Sequence, residues 1–287
     1  MSLFDQLVAE ALRSRTELAT LRPVVEKELL HHDILRELAD AGLLARLTFI
    51  GGTCLRACYG SMRLSEDLDF TGGSDFKRED LAALGTVLVE RLEARYGLPV
   101  KVSEPSKTEG KISTWKMTIE TRPNQRHLTV QRIHLDICAI PSHDARPMML
   151  RNVYGVDFGT SGLILQAESR EEILADKIVA FAFRENGIKN RDLWDIAWLA
   201  QQGVELPGKL VPIKLMDHQR DGAEFLNRAT ERLLAMNADP EIRTEFMKEM
   251  RRFLPAAVVR DTVEKEAYWS FLTGVVDEQV KKALSSL

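Results

Sequence analysis

Between residues 2 and 45 the apolar side chains return with a helical period. Leu3, Leu7 and Ala11 mark one face. A second run, Val25, Leu29, Ile34, Leu35, Leu38 and Leu43, follows Pro23, which suits the first turn of a helix. Gly42 supplies a stop. Residues 47 to 50 are a short apolar run ending at Gly51-Gly52, and in residues 66 to 71 the acids Asp67 and Asp69 alternate with Leu68 and Phe70. Both are predicted strands, joined by a short helix. Thr71-Gly72-Gly73-Ser74 reads as a turn. Phe76 to Tyr96 carries Leu81, Leu84, Val87, Leu88 and Leu92 on one side, a predicted helix closed by Gly97.

The period then shortens to two. Residues 98 to 103 and 111 to 119 are predicted strands. In the second, Ile112, Thr114, Lys116 and Thr118 alternate with Ser113, Trp115, Met117 and Ile119, and the more apolar second set is expected to face the core. Glu104 to Gly110 reads as a hairpin loop, and residues 121 to 127 as a polar, partly basic connection. Residues 131 to 140 place Ile133, Leu135, Ile137 and Ala139 on one face and His134, Asp136 and Cys138 on the other. Residues 141 to 165, with two prolines and three glycines, are predicted loops with at most one short strand, and hold the expected domain boundary.

Everything beyond is helical in pattern. Ser169 and Glu172 form a capping box ahead of an apolar run that frays at Asn186-Gly187. A second helix starts near Lys189-Asn190, and Leu206-Pro207-Gly208 is a break. Asp217 to Met236, Glu241 to Phe253 and Glu264 to Leu284 are amphipathic, with Trp269 and Phe271 expected to pack. The expectation is an α+β fold: helices and a mixed sheet over residues 1–165, then an all-helical domain over 166–287.

Composition narrows the function classes. The chain has 287 residues, 45% hydrophobic and 29% charged, enough for a substantial core. A net charge of −4 gives no global basic field, which speaks against a plain nucleic-acid-binding module but not against an enzyme with a local basic cleft. Cys54, Cys58 and Cys138 lack metal-site spacing and suggest free thiols in a reducing compartment. No apolar run is long enough to span a bilayer and no signal pattern opens the chain, so a cytoplasmic protein is expected.

The chemistry concentrates between residues 48 and 71. Two glycines after a strand let backbone approach a ligand, and a helix opening at Thr53 would offer free N–H groups to phosphate. Asp67 and Asp69 share one strand face, where paired carboxylates repel unless a cation joins them. Hard oxygen donors of this kind suit Mg²⁺ or Mn²⁺ together with nucleotide phosphates. Taken singly, Gly-Gly is usually only a turn, and Asp-x-Asp is more often a solvated strand edge. Asp136 is an acid in an apolar strand, either exposed on a one-sided sheet or facing a metal or basic partner. By composition Lys177 reads as a snorkelling lysine, Asp192 as a helix N-terminal acid sharing a face with Asp195, and His31-His32 as surface residues. The scattered Arg251, Arg252, Arg260, Lys281 and Lys282 read as a solvated face rather than an acceptor-binding surface.

Gly-Gly-Thr, thirteen residues, then Asp-Leu-Asp resembles the signature of the DNA polymerase β-like nucleotidyltransferase superfamily. The fuller text, GGTCLRACYGSMRLSEDLDF, is similar to the AbiEii/MenT family of nucleotidyltransferase toxins from bacterial toxin–antitoxin and phage-defence loci, as are E-x-L-A-D-K at Lys177 and R-D-L-x-D at Asp192 and Asp195. The resemblance covers residues 47 to 200. It implies a polymerase β-like domain with metal acids Asp67, Asp69 and Asp136. It implies nucleotide contacts from Gly51, Gly52, Thr53, Arg56, Arg63, Ser65 and Lys177, and an essential acid in Asp192 or Asp195. It also implies an NTP substrate, a tRNA or other RNA acceptor, translation arrest and a cognate antitoxin. A small-molecule or protein acceptor, and a catalytically silent NTP-binding regulator, are the other readings.

Overall fold

The computed structural model describes residues 2–105, 111–123 and 130–287. Parts of the expected hairpin loop (106–110) and of the polar connection (124–127) lie outside them. The chain divides into two compact units, Met1–Glu168 and Ser169–Leu287.

The first unit opens with α1 (Leu3–Ser14), capped by the Ser2 hydroxyl, and α2 (Arg22–Asp40) with Pro23 in its first turn. Strand β1 (Thr48–Ile50) runs directly into α3 (Gly51–Ala57), and β2 (Leu68–Thr71) follows. The expected long helix from Phe76 is instead a 3-10 turn at Arg78–Leu81 and then α4 (Leu84–Tyr96), which Gly97 ends in the left-handed conformation at φ 61°. Strands β3 (Val100–Ser103), β4 (Ile112–Ile119), β5 (Gln131–Cys138), β6 (Ala145–Met149) and β7 (Ile164–Glu168) complete a seven-stranded sheet in the order β3-β4-β5-β2-β1-β7-β6. The pairs β2–β5 and β1–β7 are parallel, the others antiparallel.

Two strands therefore arise in a stretch expected to be mostly loop. The prolines and glycines of 141–165 do mark turns, but β7 is held by its parallel partner β1, a distant pairing that no local pattern announces. The sheet has one buried face. Trp115, Met117, Ile119, Ile133, Leu135 and Ile137 point into the core, as their alternation predicts. Helices α2 and α4 pack on this unit's interior.

Helix α2 departs most from its sequence reading. It is buried over most of its length, and the acids Glu26, Glu28, Asp33 and Glu37 lie inside. Glu26 meets Arg22, Arg122 and Gln131; Asp33 meets Arg36, Arg95 and Tyr96. The expected surface pair His31-His32 is buried too. His31 Nε2 sits 3.0 Å from the Glu66 carbonyl, and His32 stacks on Phe158 with Nδ1 3.2 Å from Thr160 Oγ1. Adjacent residues do face different ways on a helix, but this helix has protein on both sides.

Burial pushes the His32 imidazole down to about 4, with Glu28 opposing and His31 and Arg56 adding to the shift. The folded protein holds it neutral, whereas the unfolded chain takes up the proton below pH ~6.5. Its stabilising contribution is complete above that pH and is lost as pH falls towards 4. Between pH 7.5 and 4.5 this residue alone should cost about 2–3 kcal/mol. Urea midpoints at the two pH values for wild type and His32→Gln measure the effect, and an equal pH loss in both proteins would refute it.

The second unit is entirely helical. Its elements are α5 (Arg170–Phe183), α6 (Asn190–Gln201), α7 (Leu210–Asp217), α8 (Gly222–Ala238), α9 (Pro240–Met250), α10 (Ala256–Asp261) and α11 (Glu266–Leu284). Ser169 Oγ accepts from the Glu172 N–H at 3.1 Å, the capping-box contact. The helix expected to begin at Asp217 begins at Gly222, because Asp221 caps it and Gln219 takes φ 55° in the turn before. Trp269 packs on Phe246, and Phe271 lies against the Tyr268 ring while staying 41% exposed.

Candidate active site

Strand register gathers the acids. Asp69 on β2 stands opposite Asp136 on β5, and Leu68 opposite Leu135. Asp67, one residue before β2, therefore falls beside His134, and its Oδ1 accepts that residue's backbone N–H at 3.1 Å. Alternation puts Asp67, Asp69, His134 and Asp136 on the face of the sheet opposite the core. Two carboxylates in register on neighbouring strands lie ~5 Å apart at Cβ and repel. Among the described residues, Asp136 Oδ1 is buried and has no hydrogen-bond partner, a costly state for a carboxylate oxygen.

Glycine at 51 is required by this arrangement. Ile50 pairs with Asp69, so α3 begins directly beside that carboxylate. Gly51 adopts φ +75°, and a Cβ there would stand 2.9 Å from Asp69 Oδ2. The helix starts at Gly51, two residues earlier than expected, and Ile50 gives it no side-chain cap. Its first N–H groups thus emerge next to the acids.

The other residues expected at the nucleotide turn inward. The Thr53 hydroxyl reaches Ser65 Oγ at 2.7 Å and also the Asp67 carbonyl oxygen, so it ties α3 to the segment that delivers the acids. Ser65 is buried, and its N–H donates to Glu28 Oε1 at 3.0 Å. Arg56, expected to touch nucleotide, is buried in an ion pair with Glu28 at 3.1 Å and donates to the Ser61 carbonyl. Arg63 is buried as well, with Nη1 on the Leu64 carbonyl at 2.9 Å. A helical position in an Arg-rich motif says nothing about which way the side chain turns, and the buried Glu28 decides it.

Glu28 is the residue that sequence reading missed. From α2 it accepts from Arg56, from the Ser65 N–H and from the Tyr154 hydroxyl. The neighbouring Lys27 pairs with Glu66 at 3.0 Å. Helix α2 thus fixes residues 65 and 66, immediately ahead of Asp67. In the sequence Glu28 is one charge among several in an ordinary helix, so no signal marked it.

Oxygen donors of this kind suit a divalent cation, and the unpartnered Asp136 oxygen beside Asp69 fits one. Among the described residues, no three His, Cys, Asp or Glu side chains converge closely enough to cage an ion unaided.

A separate ion network occupies the helical unit. Lys177 on α5 is not snorkelling. It is 9% exposed and pairs with Asp192 at 2.6 Å and Asp195 at 2.8 Å, both on α6. Arg184 holds the other Asp192 oxygen at 2.8 Å. Burial works to raise the Asp192 carboxyl, but Lys177, Arg184 and Lys189 together hold it well below the usual carboxylate range. Asp192 is thus more than a helix-terminal acid: it is shared by two cations.

The family model described as nucleotidyl transferase AbiEii toxin, Type IV TA system, matches residues 33–273. The chain belongs to this family. It is a nucleotidyltransferase, and the match takes in both the sheet bearing the acids and the helical unit as far as the first half of α11. Two solved structures show the same fold. MenT4, a nucleotidyltransferase toxin from Mycobacterium tuberculosis H37Rv, is 16% identical with a TM-score of 0.61, over 98% of this chain and 90% of that one. JHP933 from Helicobacter pylori is 18% identical with a TM-score of 0.50, over 91% of this chain and 94% of that one. No curated protein sequence matches the chain. No helix among the described residues is long and apolar enough to cross a membrane.

Proposed function

We propose that this AbiEii-family enzyme transfers a nucleoside monophosphate from an NTP to the 3′ end of tRNA, in the cytoplasm, blocking translation until a cognate antitoxin restrains it. The observation that carries the catalytic half is the in-register pair Asp69–Asp136: Asp69 stands beside the uncapped start of α3, and Asp136 Oδ1 has no hydrogen-bond partner among the described residues. The acceptor half rests on the family resemblance.

In this reading Asp69 and Asp136 hold the divalent cation and Asp67 adds a third carboxylate. Bound Mg²⁺ or Mn²⁺ would neutralise charge on the α-phosphate and on the departing pyrophosphate. The N–H groups of Gly51, Gly52 and Thr53 receive the nucleotide's terminal phosphates, where a helix N-terminus favours negative charge. The acceptor's 3′-hydroxyl oxygen forms a bond to the α-phosphorus. The bond from that phosphorus to the oxygen bridging to the β-phosphate breaks, pyrophosphate leaves with the electron pair, and the hydroxyl proton passes to water. Arg56, Arg63, Thr53 and Ser65 contribute through their side chains by holding the acid-bearing segment in place. Lys177, Asp192 and Asp195 act as one unit, so the question of which acid is essential becomes whether their shared lysine stays ordered.

The test uses purified protein, Mg²⁺ and each NTP labelled at the α-phosphate, with total tRNA, total protein and small hydroxyl compounds as separate acceptors, beside Asp67→Ala. Label entering tRNA with wild type alone is expected, and the productive NTP reports the base preference. Label entering only protein or a small compound would reject the tRNA reading while leaving nucleotidyl transfer intact.

A further inference from the structure

The open face of the sheet is divided by charge. Pairing aligns its residues in rows across the strands. The row of the catalytic pair is Thr114, Asp136, Asp69 and Ile50. The next row is Ser103, Lys116 and His134, with Asp67 beside the last. The row beyond is Lys101, Thr118 and Arg132. Lys101, Lys116 and Arg132 are all exposed. Among the described residues, none of the three pairs with a carboxylate, although the chain carries 43 Asp and Glu against 39 Lys and Arg.

An edge-strand lysine such as Lys101 has an ordinary explanation, since charge there discourages pairing with another chain. Lys116 and Arg132 do not share it, because β4 and β5 are interior strands. A solvated sheet face usually sets opposite charges across from one another. Here Lys116 faces His134 and Arg132 faces Thr118. A local positive surplus on an acidic chain marks a surface for an anion.

Two anions could use it, the NTP and the acceptor. Their places separate on the sheet. The uncapped start of α3 follows β1, on one side of β2, whereas the basic rows lie on the other side, across β5, β4 and β3. Successive rows along a strand are ~6.7 Å apart, so Lys116 lies about one row and Arg132 about two rows from the acids. With one phosphate per ~3.4 Å of stacked strand, those rows meet phosphates roughly two and four nucleotides back from the terminal hydroxyl.

We infer that the open face of β3, β4 and β5 is the track for the acceptor's backbone: the phosphates of a single-stranded RNA 3′ end bind Lys101, Lys116 and Arg132 and deliver the terminal hydroxyl to Asp136. This rests on the proposed RNA-acceptor reading. The cations carry no base-reading geometry, so the track positions the strand without selecting its sequence.

The experiment compares full-length wild type with a Lys101→Gln, Lys116→Gln, Arg132→Gln triple variant. Affinity for total tRNA is measured from 50 to 300 mM salt, and KM for the NTP is measured at saturating tRNA. The variant is expected to bind tRNA about tenfold more weakly at low salt and to show a log–log salt slope shallower by about 2, near 0.7 per lost phosphate contact. Its KM for the NTP should stay the same. Unchanged tRNA affinity and slope would overturn the inference, as would a raised KM for the NTP with tRNA binding intact, which would assign the cations to the nucleotide. If the variant is altered as expected while wild type labels tRNA, both readings stand. If wild type labels tRNA but the variant binds normally, only the track fails. A wild type that neither binds nor labels RNA overturns both.

Discussion

Asp136→Asn is expected to abolish nucleotidyl transfer, by about 10³-fold in kcat or more, without lowering the melting temperature. The two halves of this result come from the same geometry. Asp136 stands in register with Asp69, and its Oδ1 has no hydrogen-bond partner among the described residues. In the absence of a cation the pair is a liability, because two carboxylates on adjacent strands repel and one is incompletely solvated. Asparagine keeps the shape, removes the charge and relieves that repulsion, so the fold should be as stable as wild type or slightly more so. Catalysis needs the charge, since a neutral amide is a poor ligand for a hard divalent ion. Opposite movements of activity and stability are the signature of a site held against the interests of the fold. The measurement pairs single-turnover transfer rates with thermal unfolding of the same preparations, with and without Mg²⁺. Activity within tenfold of wild type would remove Asp136 from the reaction. A melting temperature several degrees lower would make it a structural residue instead.

Lys177→Met should act the other way round, through stability. Lys177 is the shared cation of Asp192 and Asp195, and Asp195 is fully buried. Removing one partner of a buried ion pair leaves uncompensated charge and costs ~3–5 kcal/mol. Arg184 still holds one oxygen of Asp192, whereas the fully buried Asp195 loses its contact with Lys177 outright. Adding Asp195→Leu to Lys177→Met should therefore recover part of the loss, while Asp192→Leu added to Lys177→Met strands Arg184 and should recover less. Denaturant unfolding of the single and double variants tests this; a Lys177→Met protein as stable as wild type would show that the network is not holding the helical unit together. The depressed carboxyl of Asp192 sets the pH range. Its stabilising contribution is present above the ordinary carboxylate value of ~3.9 and is lost only as pH falls below it, so the comparison is valid at neutral pH. The practical consequence is that lost activity in a Lys177 variant means little until its folding has been measured.

The residues most legible in the sequence were those whose task is local. Alternation placed Trp115, Met117 and Ile119 in the core and Asp136 on the opposite face, because a strand's period of two is a property of its own backbone. The same periodicity gave α2, α4 and the capped start of α5, and the Gly-Gly-Thr and Asp-Leu-Asp spacing gave the family. Folding alone decided what depends on partners distant in the chain. It brought β5 parallel to β2 so that Asp69 meets Asp136, and recruited β7 beside β1 from a stretch rich in turn residues. It also turned Arg56 inward to Glu28, buried His31 and His32, and closed Lys177 between two acids rather than letting it reach solvent. In each of these cases the side chain's environment is set by an element dozens of residues away or by a second helix, and a residue's own neighbours in sequence carry no information about the charge it will face.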